Sequence, residues 1–164
     1  MDELVKKISS YHIFNYLIPG VIASFLIDIL FNYSFKFIQE NIFVGLFFYY
    51  FIGSIISRIG SLISPLIDII FRIKKVDYKY YVTAEKIDSK IDVLSEINNM
   101  YRSFYSMFFI LTLISLYNLS FTDELSWIIS IALLLFFLIY VFSYKKQTGF
   151  IVKRVEKTNN KTPT

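Results

Sequence analysis

Thirty consecutive positions, residues 42–71, carry only two charges, Arg58 and Asp68. The run is continuous rather than alternating, so it reads as a helix, about 45 Å long at 1.5 Å per residue. That exceeds a hydrocarbon core of about 30 Å. Further apolar runs lie within 13–32 and at 104–121 and 125–142. Lipid offers no water to unpaired backbone groups, so helices are the expected form. The expected fold is therefore all-α: an integral membrane protein with four transmembrane helices.

Composition agrees. Among 164 residues, 55% are hydrophobic and 18% charged, which argues against both a disordered chain and a water-soluble globule. The absence of Cys excludes disulfides, thiolate zinc sites, iron–sulfur sites and a Cys nucleophile, and the single His12 excludes motifs that need two. No phosphate-binding glycine loop, nucleophile elbow or Ser–His–Asp grouping is present, so neither an enzyme nor a cofactor or metal site is expected. The 18 Phe and 13 Tyr, with abundant Ile, Lys and Asn, fit a low-GC bacterial genome.

Orientation follows from Lys and Arg in the short flanks. The N-terminal flank holds two, residues 72–103 seven and the C-terminal tail six, so 15 of 17 fall on one side of a four-span layout. Lys36 is left outside and Arg58 within the membrane. The expected organisation is a cytoplasmic amphipathic segment 1–12, a transmembrane hairpin 13–71, a basic cytoplasmic segment 72–103, a second hairpin 104–144 and a basic tail 145–164 that frays toward its end. Both termini face the cytoplasm, and the expected location is the bacterial inner membrane. Within the basic segment, 76–82 reads as extended. Thr83 then N-caps a helix whose Ile87, Ile91, Leu94 and Ile97 share one face, and this helix runs straight into span three.

Polar groups in the second span line up. Ser54, Arg58, Ser61, Pro65, Asp68 and Arg72 follow steps of three and four, with Ser57 and Ser64 beside them. Two readings stay open. The small residues let helices pack closely while Arg58 snorkels to the inner interface, or the stripe lines a water-filled path formed with symmetry mates. Asp28 is the other intramembrane charge. It lies in the outer leaflet if span one begins near Ile13, or near mid-depth within reach of Arg58 if span one runs from Pro19 to about Ile38. Candidate pore-lining or gating residues are therefore Ser54, Ser57, Arg58, Ser61, Asp68 and Asp28.

The cytoplasmic segment interleaves Lys74, Lys75, Lys79 and Lys90 with Tyr78, Tyr80 and Tyr81. Basic side chains meet phosphates and aromatics stack on bases, as in sites for nucleotides and single strands. The competing reading is a juxtamembrane segment held by anionic headgroups of the membrane lipids.

The opening YHIFNYLIPGVIASFL, with the four-span, basic-loop layout, resembles small multi-pass membrane effectors of bacterial anti-phage defence such as the Hailong channel effector. The resemblance implies a homo-oligomeric channel, a tetramer being one candidate assembly. It further implies control by a cytoplasmic oligonucleotide or cyclic nucleotide and a partner nucleotidyltransferase. The alternative is a non-conducting interaction protein, either a toxin-immunity protein or an assembly subunit.

Overall fold

The computed structural model describes residues 11–31, 33–118 and 124–160, and every regular element among them is helical. Helix α1 spans Ile13–Leu30, α2 Ile42–Ile70, α3 Tyr78–Ile87, α4 Lys90–Tyr117 and α5 Glu124–Asn159. Three helices are long and apolar enough to cross a membrane: Ile13–Leu30, Ile42–Ile70 and Leu125–Asn159. Large apolar side chains stand exposed along them, Phe47 and Ile69 among the most exposed. Such faces fit a protein embedded in a membrane. The apolar half of α4 runs from Phe104 to the helix end at Tyr117, and 119–121 of the expected run lie outside the described residues.

Helix α1 opens with a π-helical turn, Ile13–Leu17, before the α-helical Ile18–Leu30. Pro19 explains it. Proline lacks an N–H and its ring clashes with the carbonyl four residues back, at Asn15. Widening the turn relieves that clash, and the Ile18 N–H donates to the Ile13 carbonyl instead. The Pro19–Gly20 pair therefore sits inside one continuous helix rather than at the start of a span.

Gly20 and Gly53 set how α1 meets α2. A Cβ on Gly20 would lie 1.8 Å from the Tyr49 carbonyl oxygen, and one on Gly53 would lie 1.7 Å from that of Tyr16. The two backbones touch, as small residues allow between helices in lipid. Helix α4 crosses α2 farther along. There Tyr105 donates to the Gly60 carbonyl at 3.2 Å and Ser106 to that of Ile56 at 2.7 Å. Helices α4 and α5 form the longest pairing, with Phe104 and Phe108 stacked on Tyr140 and with Ser115 and Ser130 sharing a 2.7 Å hydrogen bond.

Span one ends at Leu30, which excludes a helix running on to Ile38. Asp28 gives the reason. Its two carboxylate oxygens accept from the backbone N–H groups of Phe37 and Ile38, both at 2.8 Å, and fold the chain back over the helix end. At the opposite end, α2 stops in a Schellman turn: Ile73 N–H donates to the Asp68 carbonyl and Arg72 N–H to that of Ile69. Arg72 takes the left-handed conformation there, with φ 53°, where glycine is usual.

Beyond that turn, α3 and the ends of α4 and α5 form a polar stem around Ala84, Ile91, Ile151 and Val155. Two expectations change here. Residues 78–82 are helical, not extended, because Asp77 caps α3 by accepting from Lys79 N–H at 2.9 Å. Thr83 is thus inside the helix, its hydroxyl donating back to the Lys79 carbonyl. The helix that leads into the apolar run at 104 starts at Lys90, not Thr83, because Asp88 adopts an extended conformation and breaks the path. Asp88 accepts from Lys90 N–H and from Arg154 Nε, the latter at 2.6 Å. The C-terminal segment is a continuation of α5 as far as Asn159, stapled by Gln147 to the Leu94 carbonyl and by Thr148 to Asn98. The expected 1–12 segment, apart from Tyr11 and His12, and the tail end at 161–164 lie outside the described residues.

Two outcomes follow for stability, read by unfolding of the purified protein in detergent. Gly53→Ala should destabilise by about 1–3 kcal/mol or more, because its Cβ meets backbone. Gly149→Ala, which meets nothing within 4 Å, should stabilise by about 0.5–1 kcal/mol. The hydrogen bond from Arg154 holds the Asp88 carboxyl below the usual carboxylate range. Its contribution is therefore complete above that range and lost as pH falls through the depressed value. Asp88→Asn should flatten this acid limb of the stability profile, and an unchanged limb would remove the pair from it.

Candidate functional site

The π-turn, α2 and α4 enclose a groove of about 520 Å³. The π-turn places His12 and Tyr16 on it. Helix α2 contributes Tyr50, Ser54, Ile55, Ser57, Arg58 and Ser61, and α4 contributes Arg102. The helical steps within α2 explain why its polar residues share one wall. The glycine contact at Tyr16 and Gly53 brings the π-turn up to that wall.

The groove has a cationic character. Arg58 and Arg102 both line it, and no carboxylate does. Arg102 Nε is buried without a hydrogen-bond partner. Arg58 is exposed, and no ion pair joins either guanidinium to another described residue. The Ser54 and Ser61 hydroxyls donate to the carbonyls of Phe51 and Ser57 on their own helix. Tyr50 Oη and His12 Nδ1 share a 3.1 Å hydrogen bond, and Tyr16 packs edge-on against Tyr50. The arrangement can attract an anion or hold water. Among the described residues no group of three or more His, Asp or Glu side chains could hold a metal.

The two arginines stand at one level. Arg58 is 16 residues from the start of α2, and Arg102 is 16 residues from Asn118, the C-cap of α4; either distance is about 24 Å. The Arg102 carbonyl faces Gly60, which confirms the register.

A second cavity, of about 250 Å³, lies where the stem joins the apolar bundle. It is walled by Lys75, Tyr81, Asn98, Asn99, Arg102 and Tyr144, among others. Arg102 thus belongs to both cavities. Lys75 pairs with Asp68 at 2.5 Å, donates to Ser64 Oγ at 3.2 Å and lies over the Tyr144 ring. Burial pulls the Lys75 ammonium down, but its hydrogen bonds to Asp68 and Tyr144 outweigh burial and leave it raised.

The expected pore and ligand residues are redistributed by this geometry. Ser54, Ser57, Arg58 and Ser61 line the groove together. Asp68 leaves that set for Lys75, so the two lists meet at one ion pair. Asp28 binds the 37–38 backbone at the far end and does not pair with Arg58. Of the expected ligand residues, Lys75 and Tyr81 share the second cavity, and Tyr81 Oη is bonded to Ser95 at 2.8 Å. Lys74, Tyr78, Lys79, Tyr80 and Lys90 are exposed. Arg102, Tyr16 and Tyr50 were missed by sequence reasoning. Arg102 had a signal, since it is the last charge before the apolar run of α4.

No protein-family model, curated protein or solved structure matches this chain.

Asp28→Ala should cost about 1–3 kcal/mol in detergent unfolding, because two backbone donors lose a charged acceptor. Asp28→Asn should recover part of that loss. A neutral Asp28→Ala would show that the 33–41 loop holds itself without the carboxylate.

Proposed function

We propose that the chain is one subunit of a homo-oligomeric channel or membrane-permeabilising effector in a bacterial inner membrane. Four helices cross the bilayer, with the stem and both termini on the cytoplasmic side, the side that the excess of Lys and Arg favours. In this reading it serves anti-phage defence without catalysis, like the effectors its opening segment resembles. A cytoplasmic nucleotide or single-stranded oligonucleotide, made by a partner nucleotidyltransferase, acts at the stem.

One observation carries the reading: Arg102 is a wall of both cavities. A phosphate reaching the cavity of Lys75, Asn98 and Asn99 would draw on the same residue that lines the groove with Arg58. Occupancy at the stem would then bias the groove through one side chain, which is what a ligand-controlled path requires. In the assembled oligomer the serines and Arg58 turn toward the shared path. Exposed Tyr78, Lys79 and Tyr80 on α3 extend the ligand surface.

The exposure of Ile55 and Arg58 in the groove favours a second reading, in which a helix of another membrane protein covers Arg58. The chain is then a non-conducting interaction protein, such as a toxin-immunity protein or an assembly subunit.

Planar-bilayer recording of the purified protein separates the two. The channel reading expects unitary currents that change when a short oligonucleotide or cyclic nucleotide is added on the stem side. Arg58→Ala should alter conductance, and Arg102→Ala should weaken the ligand response about tenfold while leaving a pore. A silent protein that elutes as a monomer would favour the second reading. Equal currents in wild type and Arg58→Ala would remove the groove from the path.

A further inference from the structure

Arg58 and Arg102 present an unneutralised pair of guanidiniums in a groove that also holds His12, Tyr16, Tyr50 and three serines. Arginine so placed is suited to phosphate, which it meets through a planar fork of donors. The buried Arg102 Nε without a partner is a donor still to be satisfied. Depth narrows the source of the phosphate. Both arginines stand about 24 Å from the far ends of their helices. A core of about 30 Å then leaves them a few ångströms below the stem-side headgroups, within reach of an arginine side chain.

An exposed apolar strip that reaches the groove at Ile55 points the same way. Phe47, Phe51 and Ile55 follow one another at steps of four along α2, up to the level of Arg58. They are 80%, 62% and 44% exposed, and Ile55 itself lines the groove. A free phosphate ion would use the guanidiniums and leave this strip uncovered. A phospholipid uses both, its phosphate between the arginines and one acyl chain along the strip.

We propose that the groove is a binding site for an anionic phospholipid of the stem-side leaflet, held by Arg58 and Arg102 through the headgroup phosphate and by Phe47, Phe51 and Ile55 through an acyl chain. Tyr50 adds a hydroxyl at the rim, already oriented by His12. The site does not rest on conduction, because a bound lipid and an ionic current are read by different measurements.

Native mass spectrometry of the full chain tests the assignment, after release from bilayers of phosphatidylcholine mixed with phosphatidylglycerol. Wild type should retain phosphatidylglycerol in preference to phosphatidylcholine. Arg58→Gln and Arg102→Gln together should lower that retention about tenfold or more. Arg58→Lys should keep part of it, because the charge remains but the fork is lost. Lys153→Gln removes the same charge from the exposed stem and should leave retention unchanged. Arg58 is exposed, so Arg58→Gln alone carries the test if the Arg102 variant does not fold. Equal retention in wild type and Arg58→Gln would overturn the site. So would retention with no preference for the anionic headgroup, or displacement of the lipid by inorganic phosphate.

Discussion

The contact on which the rest of the structure depends is the one between two backbones. Gly20 lies on the Tyr49 carbonyl and Gly53 on that of Tyr16, at distances no side chain would permit. This pair fixes the register of α1 on α2 and thereby the level at which the π-turn meets α2. His12 and Tyr16 stand beside Arg58 only because of that register. A slip of one helical turn, about 5.4 Å, would carry the π-turn past the arginine and open the groove on one side. The turn itself is dictated by Pro19, so a proline and two glycines determine the geometry of a polar site made of other residues.

The stem depends on a different principle. Its core is small, four buried apolar residues with a few half-buried neighbours. Hydrogen bonds that cross between helices add to it: Gln147 to α4, Arg154 to Asp88, Asn159 to the Tyr80 carbonyl. Helices α4 and α5 are each continuous from the apolar bundle into the stem, so the two regions share an unbroken backbone there. The α2–α3 connection is the exception. It turns sharply at Arg72, in a conformation that costs a non-glycine residue about 1–3 kcal/mol, and it is anchored at once by Lys75 on Asp68.

Much of the helical content was readable from the sequence, for a plain reason. Long apolar runs leave the backbone little choice, and the steps of three and four that aligned Ser54, Arg58 and Ser61 hold on a real helix. What could not be read was decided by competition between nearby caps and by contacts beyond a single helical turn. Thr83 is a fair N-cap by type, but Asp77 came first and took the Lys79 N–H. The helix at 90 was broken by Asp88, whose partner Arg154 is 66 positions away. Asp28 looked like an ion-path residue in isolation, yet its acceptors are filled by a loop only nine and ten residues on. Arg102 was visible as a basic flank and nothing more, because its role comes from the neighbours that α2 and the π-turn bring to it.

Arg102 also explains why the two lists of candidate residues, one for the bundle and one for the stem, are chemically connected. A guanidinium has five donors in a rigid plane and cannot shed its charge. In Arg102 the Nε is buried and unpaired, and the residue lines both cavities. A phosphate in the groove and a phosphate at Lys75 would compete for it if both pulled directly on the terminal nitrogens, and would cooperate if one oriented the plane for the other. Either way such a coupling would be reciprocal: an effect of a stem ligand on the groove would be returned by the groove in the same factor. A membrane lipid between Arg58 and Arg102 would therefore tune the affinity of a stem ligand, and the surrounding bilayer would become part of the control.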